Sequence, residues 1–315
     1  MTSESESPGP RPLVPEGVPG LDLPLGRRVE LPGRGTTFVR EVAGPTPDAP
    51  VVMLLHGWFA SGGLNWYQAF EPLSRHFRVL APDLRGHGRG ITSWRRFKLA
   101  DCADDCAALL EALGVERAIV VGYSMGGPVA QLMWRRHPDK VSGLVLGATS
   151  DSFIPGLQQR MVFVGMMAAA SATTRTGQFI ARVPTVGRFH IALPAGSRPE
   201  TLRRWSLQEF RRHDLRMAFE AGNAIATFSS RRWIRHVDVP TVVLVTTKDR
   251  AVTPQSQLRL ALQIPHAQIH RLDEGHTAPM LDSFGPVLAE ACLEVARDVA
   301  LRDASLARFR RATGA

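Results

Sequence analysis

The chain has 315 residues, 44% hydrophobic and 21% charged, which is a globular composition, and a chain of this length buries about 75% of its unfolded surface without a disulfide or metal staple. Its 38 basic and 29 acidic residues leave a net charge of +9, but the arginines are spread along the chain and no recognition motif accompanies them, which argues against a nucleic-acid partner. Cys102, Cys106 and Cys292 make no disulfide framework, no apolar run is long enough to span a bilayer, and the acidic, proline-rich N-terminus has no secretion-signal core, so the expected location is cytoplasmic.

Residues 1–26 are rich in Pro, Gly, Ser and Glu and are expected to form a disordered leader. Arg28–Leu31 and Thr36–Val42 read as a hairpin about Pro32-Gly33-Arg34-Gly35. Val51–Leu55 is an apolar run that suits a central strand, followed by a helix over Asn65–His76 and a strand over Arg78–Ala81. Leu99–Leu113 has helical spacing at Cys102, Cys106, Leu109, Leu110 and Leu113, and Gly114 stops it. Strand Ala118–Val121, helix Val129–Arg136 and strand Val141–Leu146 follow. From Asp151 to about Arg235 the strand signal stops, and helical pieces at Leu157–Ser171, Thr176–Arg182, Glu200–Arg212 and Leu215–Thr227 take its place. Strand Thr241–Val245, helix Pro254–Gln263, strand Ala267–Leu272 and helix Phe284–Leu301 close the pattern. This alternation predicts an α/β fold: a doubly wound, mostly parallel eight-stranded sheet over 27–150 and 236–302, with a helical cap inserted at 151–235 and a basic tail at 303–315.

The residues that carry chemistry sit at strand ends. Gly122-Tyr123-Ser124-Met125-Gly126 is a G-x-S-x-G pentapeptide between a β-branched strand and an amphipathic helix. A turn that sharp needs neighbours without Cβ, and it lifts the Ser124 hydroxyl to the head of a helix. A serine hydroxyl needs a base within reach and an acid to orient that base. Asp249 follows the 241–245 strand and His276 follows the 267–272 strand, in the order Ser, Asp, His. Asp151, past the 141–146 strand, is a rival for the acid; the Val252-Thr253-Pro254 ending favours Asp249. The amide of Met125, at the helix start, is one expected oxyanion donor, and the amide of Trp58 in His56-Gly57-Trp58-Phe59 is the other. His56 is expected to hold its loop, and Asp83-Leu84-Arg85-Gly86-His87-Gly88 to brace the loops beside the site.

These motifs, over about residues 28–300, make the chain resemble the α/β-hydrolase fold superfamily, in its serine hydrolase branch with a helical cap. The resemblance implies two-step acyl transfer without cofactor or metal: attack by Ser124, proton shuttling by His276, orientation by Asp249, and release by water. The acid loop departs from the family, with Thr246-Thr247-Lys248 where relatives carry a glycine and another acid. The expected substrate is a small hydrophobic ester or a monoacylglycerol-like lipid, with Phe59, Tyr123, Met161 and Met166 lining its pocket. A carbon–carbon hydrolase, a cofactor-free perhydrolase and a non-catalytic binding protein of the same fold are the alternatives. The Met-rich cap and the arginine-bearing tail are each a candidate for peripheral membrane contact.

Overall fold

In the computed structural model of the chain, residues 23–154, 156–181 and 202–313 are described. The expected leader up to residue 22, and the expected helix ends at Arg182 and Glu200, lie outside them. The hairpin forms as β1 (Gly26–Leu31) and β2 (Gly35–Val42), with Gly33 in the left-handed region that closes the turn. β3 (Val51–Leu55), β4 (Arg78–Pro82), β5 (Ala118–Tyr123), β6 (Val141–Gly147), β7 (Thr241–Thr246) and β8 (Gln268–Leu272) complete one eight-stranded sheet. Its order is β1-β2-β4-β3-β5-β6-β7-β8. The pairs β1/β2 and β2/β4 are antiparallel, and every other pair is parallel.

Helices α1 (Gly62–Trp66), α2 (Phe70–Ser74), α3 (Leu99–Ala112) and α4 (Gly126–Arg136) lie between the first six strands. The insert supplies α5 (Leu157–Ala181), α6 (Leu202–Arg211) and α7 (Leu215–Thr227); α8 (Pro254–Gln263) and α9 (Phe284–Thr313) close the chain. Each apolar run in the sheet is covered on both faces, as a parallel sheet requires. Trp66, Phe70, Leu73, Phe284 and Leu288 from α1, α2 and α9 cover Val52, Leu54 and Val121. Leu109, Leu110, Val129, Met133 and Leu260 from α3, α4 and α8 cover Met53, Val120 and Leu144.

Three boundaries differ from the sequence reading. The helix expected over Asn65–His76 is split into α1 and α2. Pro72 accounts for the break: in a continuous helix its ring would meet the Gln68 carbonyl, whereas it is tolerated in the first turn of α2. The pieces expected over Leu157–Ser171 and Thr176–Arg182 are one helix, α5. Thr173, Thr174 and Thr176 return their hydroxyls to the carbonyls one turn back, which keeps these poor helix formers inside the ladder. The expected tail is helical, because beyond Leu301 α9 runs on to Thr313 with Ala, Leu and Arg and no glycine until Gly314. Arg117 pairs with Asp303 and Arg302 with Asp238, which fixes this extension at the amino ends of β5 and β7.

The insert leaves the sheet at the opposite edge, past the carboxyl end of β6. Two buried polar clasps tie it down. Glu209 of α6 accepts from Ser61 at 2.6 Å and pairs with Arg89 at 3.3 Å. In α7, Arg216 pairs with Glu220 at 2.9 Å, and Glu220 accepts the Phe97 amide at 2.8 Å. A buried charge is tolerated only when partnered in this way. Helix α5 packs on α7.

Candidate active site

Ser124 sits between β5 and α4 with φ of 52°, a left-handed conformation that costs a non-glycine residue about 1–3 kcal/mol unless its surroundings enforce it. Three hydrogen bonds enforce it. The Ser124 amide donates to the Gly147 carbonyl at 3.0 Å, and its carbonyl accepts the Gly127 amide at 3.0 Å and the Thr149 hydroxyl at 2.9 Å. A Cβ at Gly122 would run into the Gly126 carbonyl, and one at Gly126 into the Leu55 carbonyl. The two glycines of the pentapeptide are therefore what let β5, α4 and β3 meet.

The loop after β8 brings His276 to this serine, with Nε2 3.0 Å from Ser124 Oγ. His276 Nδ1 lies 2.7 Å from Oδ2 of Asp249, on the loop after β7. With Nδ1–H donating to the carboxylate, Nε2 is free to accept from the serine hydroxyl. The three residues picked out by strand-end position are thus one continuous chain of hydrogen bonds. Asp249 is saturated: Oδ1 accepts the amides of Ala251 (2.8 Å) and Val252 (2.9 Å), and Oδ2 also accepts the Thr246 hydroxyl at 2.9 Å. Burial works to raise the carboxyl group, but the bonds from His276, Val252 and Thr246 outweigh it and hold Asp249 below the usual carboxylate range. Gln257 of α8 locks Thr246 in place, donating to its hydroxyl at 2.8 Å and accepting its amide at 3.0 Å. Sequence reasoning missed Thr246 and Gln257. The only signal was the departure of the acid loop from the family pattern, and in the structure that departure supplies a hydroxyl to Asp249.

The loop after β3 closes over the serine. A Cβ at Gly57 would lie 3.4 Å from Ser124 Cβ. The amides of Trp58, Phe59 and Met125 meet no acceptor among the described residues. His56 is buried and uses both ring nitrogens on backbone, Nδ1 toward the Gly57 carbonyl at 2.8 Å and Nε2 accepting the Leu84 amide at 2.9 Å. Burial pushes it down to about 3, so it stays neutral and structural. In the 83–88 loop, Asp83 accepts the Gly62 and Arg89 amides and Arg85 pairs with Asp105 at 2.7 Å, so the loop acts as the expected brace.

The pocket residues need correcting. Phe59 lies under the insert, stacked on Phe210 at 5.4 Å and edge-on to Phe219 at 6.0 Å. Tyr123 does not face a pocket: it is buried among Trp66 and Phe284, and its hydroxyl donates to the His276 carbonyl at 2.9 Å. The strand alternation that turns Ser124 toward the site turns its neighbour to the α9 side of the sheet. Met161 and Met166 are exposed on the outer face of α5. The inner face carries Phe163, 6.3 Å from the Trp58 ring, and Met167. The sequence reading chose methionines one helical face away. Gly222 of α7 had not been singled out; a Cβ there would lie 2.8 Å from Trp58 and 3.1 Å from Met167, so this glycine lets α7 close onto the loop, and Trp58 Nε1 donates to the Ala218 carbonyl at 2.7 Å.

Asp151, the rival acid, is buried past β6 and bound by permanent cations. It pairs with Arg231 at 3.1 Å and Arg259 at 2.9 Å and accepts from Gln263 at 2.9 Å. No imidazole reaches it among its bonds.

With this geometry in place, the comparisons agree on the family. The α/β-hydrolase fold family model matches residues 50–283, and the chain belongs to that family. It is 32% identical over 262 residues to the pimeloyl-[acyl-carrier protein] methyl ester esterase of Chromobacterium violaceum, covering 79% of this chain and 96% of that protein. A shorter match, 43% over 101 residues, covers 31% of this chain and 36% of the bifunctional esterase/perhydrolase DCH of Acinetobacter calcoaceticus. A hydrolase from Pseudomonas aeruginosa superposes with a TM-score of 0.64 at 25% identity, covering 84% of this chain and 96% of that one. The chain is an α/β hydrolase, and the two sequence relatives described above are both named as esterases.

Proposed function

We propose that the chain hydrolyses hydrophobic carboxylic esters through an acyl-enzyme intermediate on Ser124. The observation that carries this is the Ser124–His276–Asp249 chain of hydrogen bonds at 3.0 and 2.7 Å, on a backbone strained to present the serine. His276 Nε2 accepts the Ser124 proton as Oγ attacks the ester carbonyl, and Asp249 steadies the imidazolium that results. The free amides of Met125 and Trp58 receive the developing oxyanion; one such donor contributes about 3–4 kcal/mol to the barrier. His276 returns the proton to the leaving alcohol and then activates the water that frees the acid. Trp58, Phe59, Phe163 and Met167 form an apolar cluster on the loop that carries the Trp58 amide, which suits a hydrophobic ester. The helical insert acts in this reading as a cap over the site.

The match to the esterase/perhydrolase supports a second reading, in which hydrogen peroxide replaces water on the acyl-enzyme and a peracid leaves. One experiment addresses both: a p-nitrophenyl ester series from acetate to palmitate, with and without peroxide, on wild type and Ser124→Ala, with organophosphonate labelling in parallel. Wild-type turnover and labelling that vanish in Ser124→Ala are expected. A wild type that cleaves no ester and takes up no phosphonate would overturn both.

A further inference from the structure

The outer face of α5 is apolar and exposed. Leu157, Met161, Val162 and Met166 are 67%, 66%, 59% and 55% exposed, as two i,i+4 pairs, Leu157/Met161 and Val162/Met166, that border the solvent side of the helix. Gly165, Ala168, Ala169 and Ala172 extend the same side. The opposite side of α5 packs on α7. Scattered exposed apolar residues need no explanation, but four large ones on the solvent side of one helix mark an interaction surface.

The charge around the stripe says what it meets. No Asp or Glu occurs anywhere between Asp151 and Glu200, and the charged residues of α5 are Arg160 and Arg175. Beside the far end of the stripe lies the loop Ser93-Trp94-Arg95-Arg96-Phe97-Lys98. It is joined to α5 through Glu220, which accepts both the Phe97 amide at 2.8 Å and the Ser171 hydroxyl at 3.3 Å. Trp94 is half exposed, and Arg95, Arg96 and Lys98 are exposed with no acid among them. Apolar helix, tryptophan and cations are the three parts of a surface that settles into the headgroup layer of an anionic bilayer.

We infer that the α5 face, with the Trp94–Lys98 loop, docks the protein on anionic lipid membranes. The arginine-bearing end of α9 is not part of this surface. Its ties to Arg117 and Asp238 place it at the amino ends of β5 and β7, whereas the insert rises from the carboxyl end of β6, across the sheet. The inner face of α5 holds Phe163 and Met167 against Trp58, so the same helix meets lipid on one side and walls the Ser124 site on the other.

The test is co-sedimentation of the full chain with phosphatidylcholine vesicles, with and without phosphatidylglycerol. Because it reads binding rather than turnover, its outcome is independent of the ester reading. Wild type should bind the anionic vesicles, release them at high salt, and leave neutral ones largely unbound. Leu157→Glu with Val162→Glu should lower the bound fraction about tenfold, and Arg95→Glu with Arg96→Glu should do the same on anionic vesicles alone. Thermal melts of both variants, expected to match wild type, show that they fold. A wild type that binds neither vesicle or both alike overturns the proposal, as does a Leu157/Val162 variant that binds as well as wild type. A wild-type dimer that this variant splits, with no vesicle binding, would overturn it too and give the face to a second copy.

Discussion

Two buried aspartates stand past the carboxyl ends of adjacent parallel strands, Asp151 after β6 and Asp249 after β7, and by residue type and position either could serve the serine. Both are held below the usual carboxylate range against the pull of burial, but by different partners. Asp151 is met by two guanidinium groups and a glutamine amide. Arginine cannot give up its proton in a protein, so that assembly has one charge state and one use, tying the start of the insert to α8 and to the segment that returns from it. Asp249 is met by two backbone amides, a threonine hydroxyl and one imidazole whose far nitrogen reaches Ser124. Neutral donors stabilise the carboxylate without fixing the charge of its neighbour, and the imidazole can therefore cycle. What separates a structural clamp from a catalytic acid here is the proton inventory of the partners, not burial, pKa direction or position on the sheet.

That contrast breaks first in a pair of isosteric substitutions. Asp249→Asn should lower kcat on a p-nitrophenyl ester about 10⁴-fold, because the amide reverses the tautomer that His276 needs. Asp151→Asn should leave kcat within about threefold and act on stability instead. Its two arginines are partly exposed and can turn to water, so the expected loss is about 2 kcal/mol, or roughly 3 °C in melting temperature for a chain of this length. The pH dependence has a definite sign. Asp151 has a folded-state pKa below its unfolded value of about 3.9, so its contribution is full above that value and disappears as pH falls through the depressed folded value. Urea midpoints of wild type and Asp151→Asn should therefore differ at neutral pH and converge in acid. If Asp151→Asn instead abolishes turnover and Asp249→Asn does not, the roles are exchanged.

A smaller effect sharpens the same contrast on the base. The Tyr123 hydroxyl, one residue before the nucleophile, donates to the carbonyl of His276 itself, and Tyr67 donates to the Met280 carbonyl in the same loop at 2.9 Å. Tyr123→Phe keeps the ring against Trp66 and Phe284 and removes one hydrogen bond of about 1 kcal/mol. We expect kcat to fall about fivefold at unchanged KM, with phosphonate labelling slowed in parallel. A change confined to KM would return Tyr123 to the pocket.

How far the sequence carries follows from what each feature depends on. Strand ends are legible because apolar runs stop where the backbone leaves the sheet, and three catalytic residue types past three such ends constrain one another. Ser124, His276 and Asp249 were found that way, and the glycines at 122 and 126 were legible as a steric demand. Side-chain direction was not. Tyr123 and the methionines of α5 have the right chemistry for a pocket, but a strand alternates every residue and a helix turns a face away within two, so chemistry alone could not tell Phe163 and Met167 from Met161 and Met166. Bracing partners were illegible for another reason. Gln257 lies in a different element from Thr246, and nothing local in the sequence marks a polar helix residue that points into the core. The break at Pro72 was legible in principle, since the ring of a mid-helix proline clashes with the carbonyl four residues back.

The smallest expected effect bears most directly on why Asp249 is built from neutral donors. Thr246→Val preserves shape and removes the hydroxyl bond to Oδ2, leaving the carboxylate its two amides, Gln257 at 3.5 Å and the imidazole. A donor bonded to the ionised form lowers a carboxyl pKa, so its removal makes Asp249 the more basic partner and strengthens its hold on a protonated imidazole. The acid limb of the kcat/KM profile should then move toward higher pH by about half a unit or less, since one unit corresponds to about 1.4 kcal/mol and the bond to about 1. At the plateau, kcat should drop only about two- to fivefold, and Thr246→Ser, which restores the hydroxyl, should restore the limb. A plateau loss without any movement of the limb would show that Thr246 fills space beside Asp249 and does not tune it. The neutral cage would then serve position alone, and the difference from the arginine clamp at Asp151 would reduce to the presence of His276.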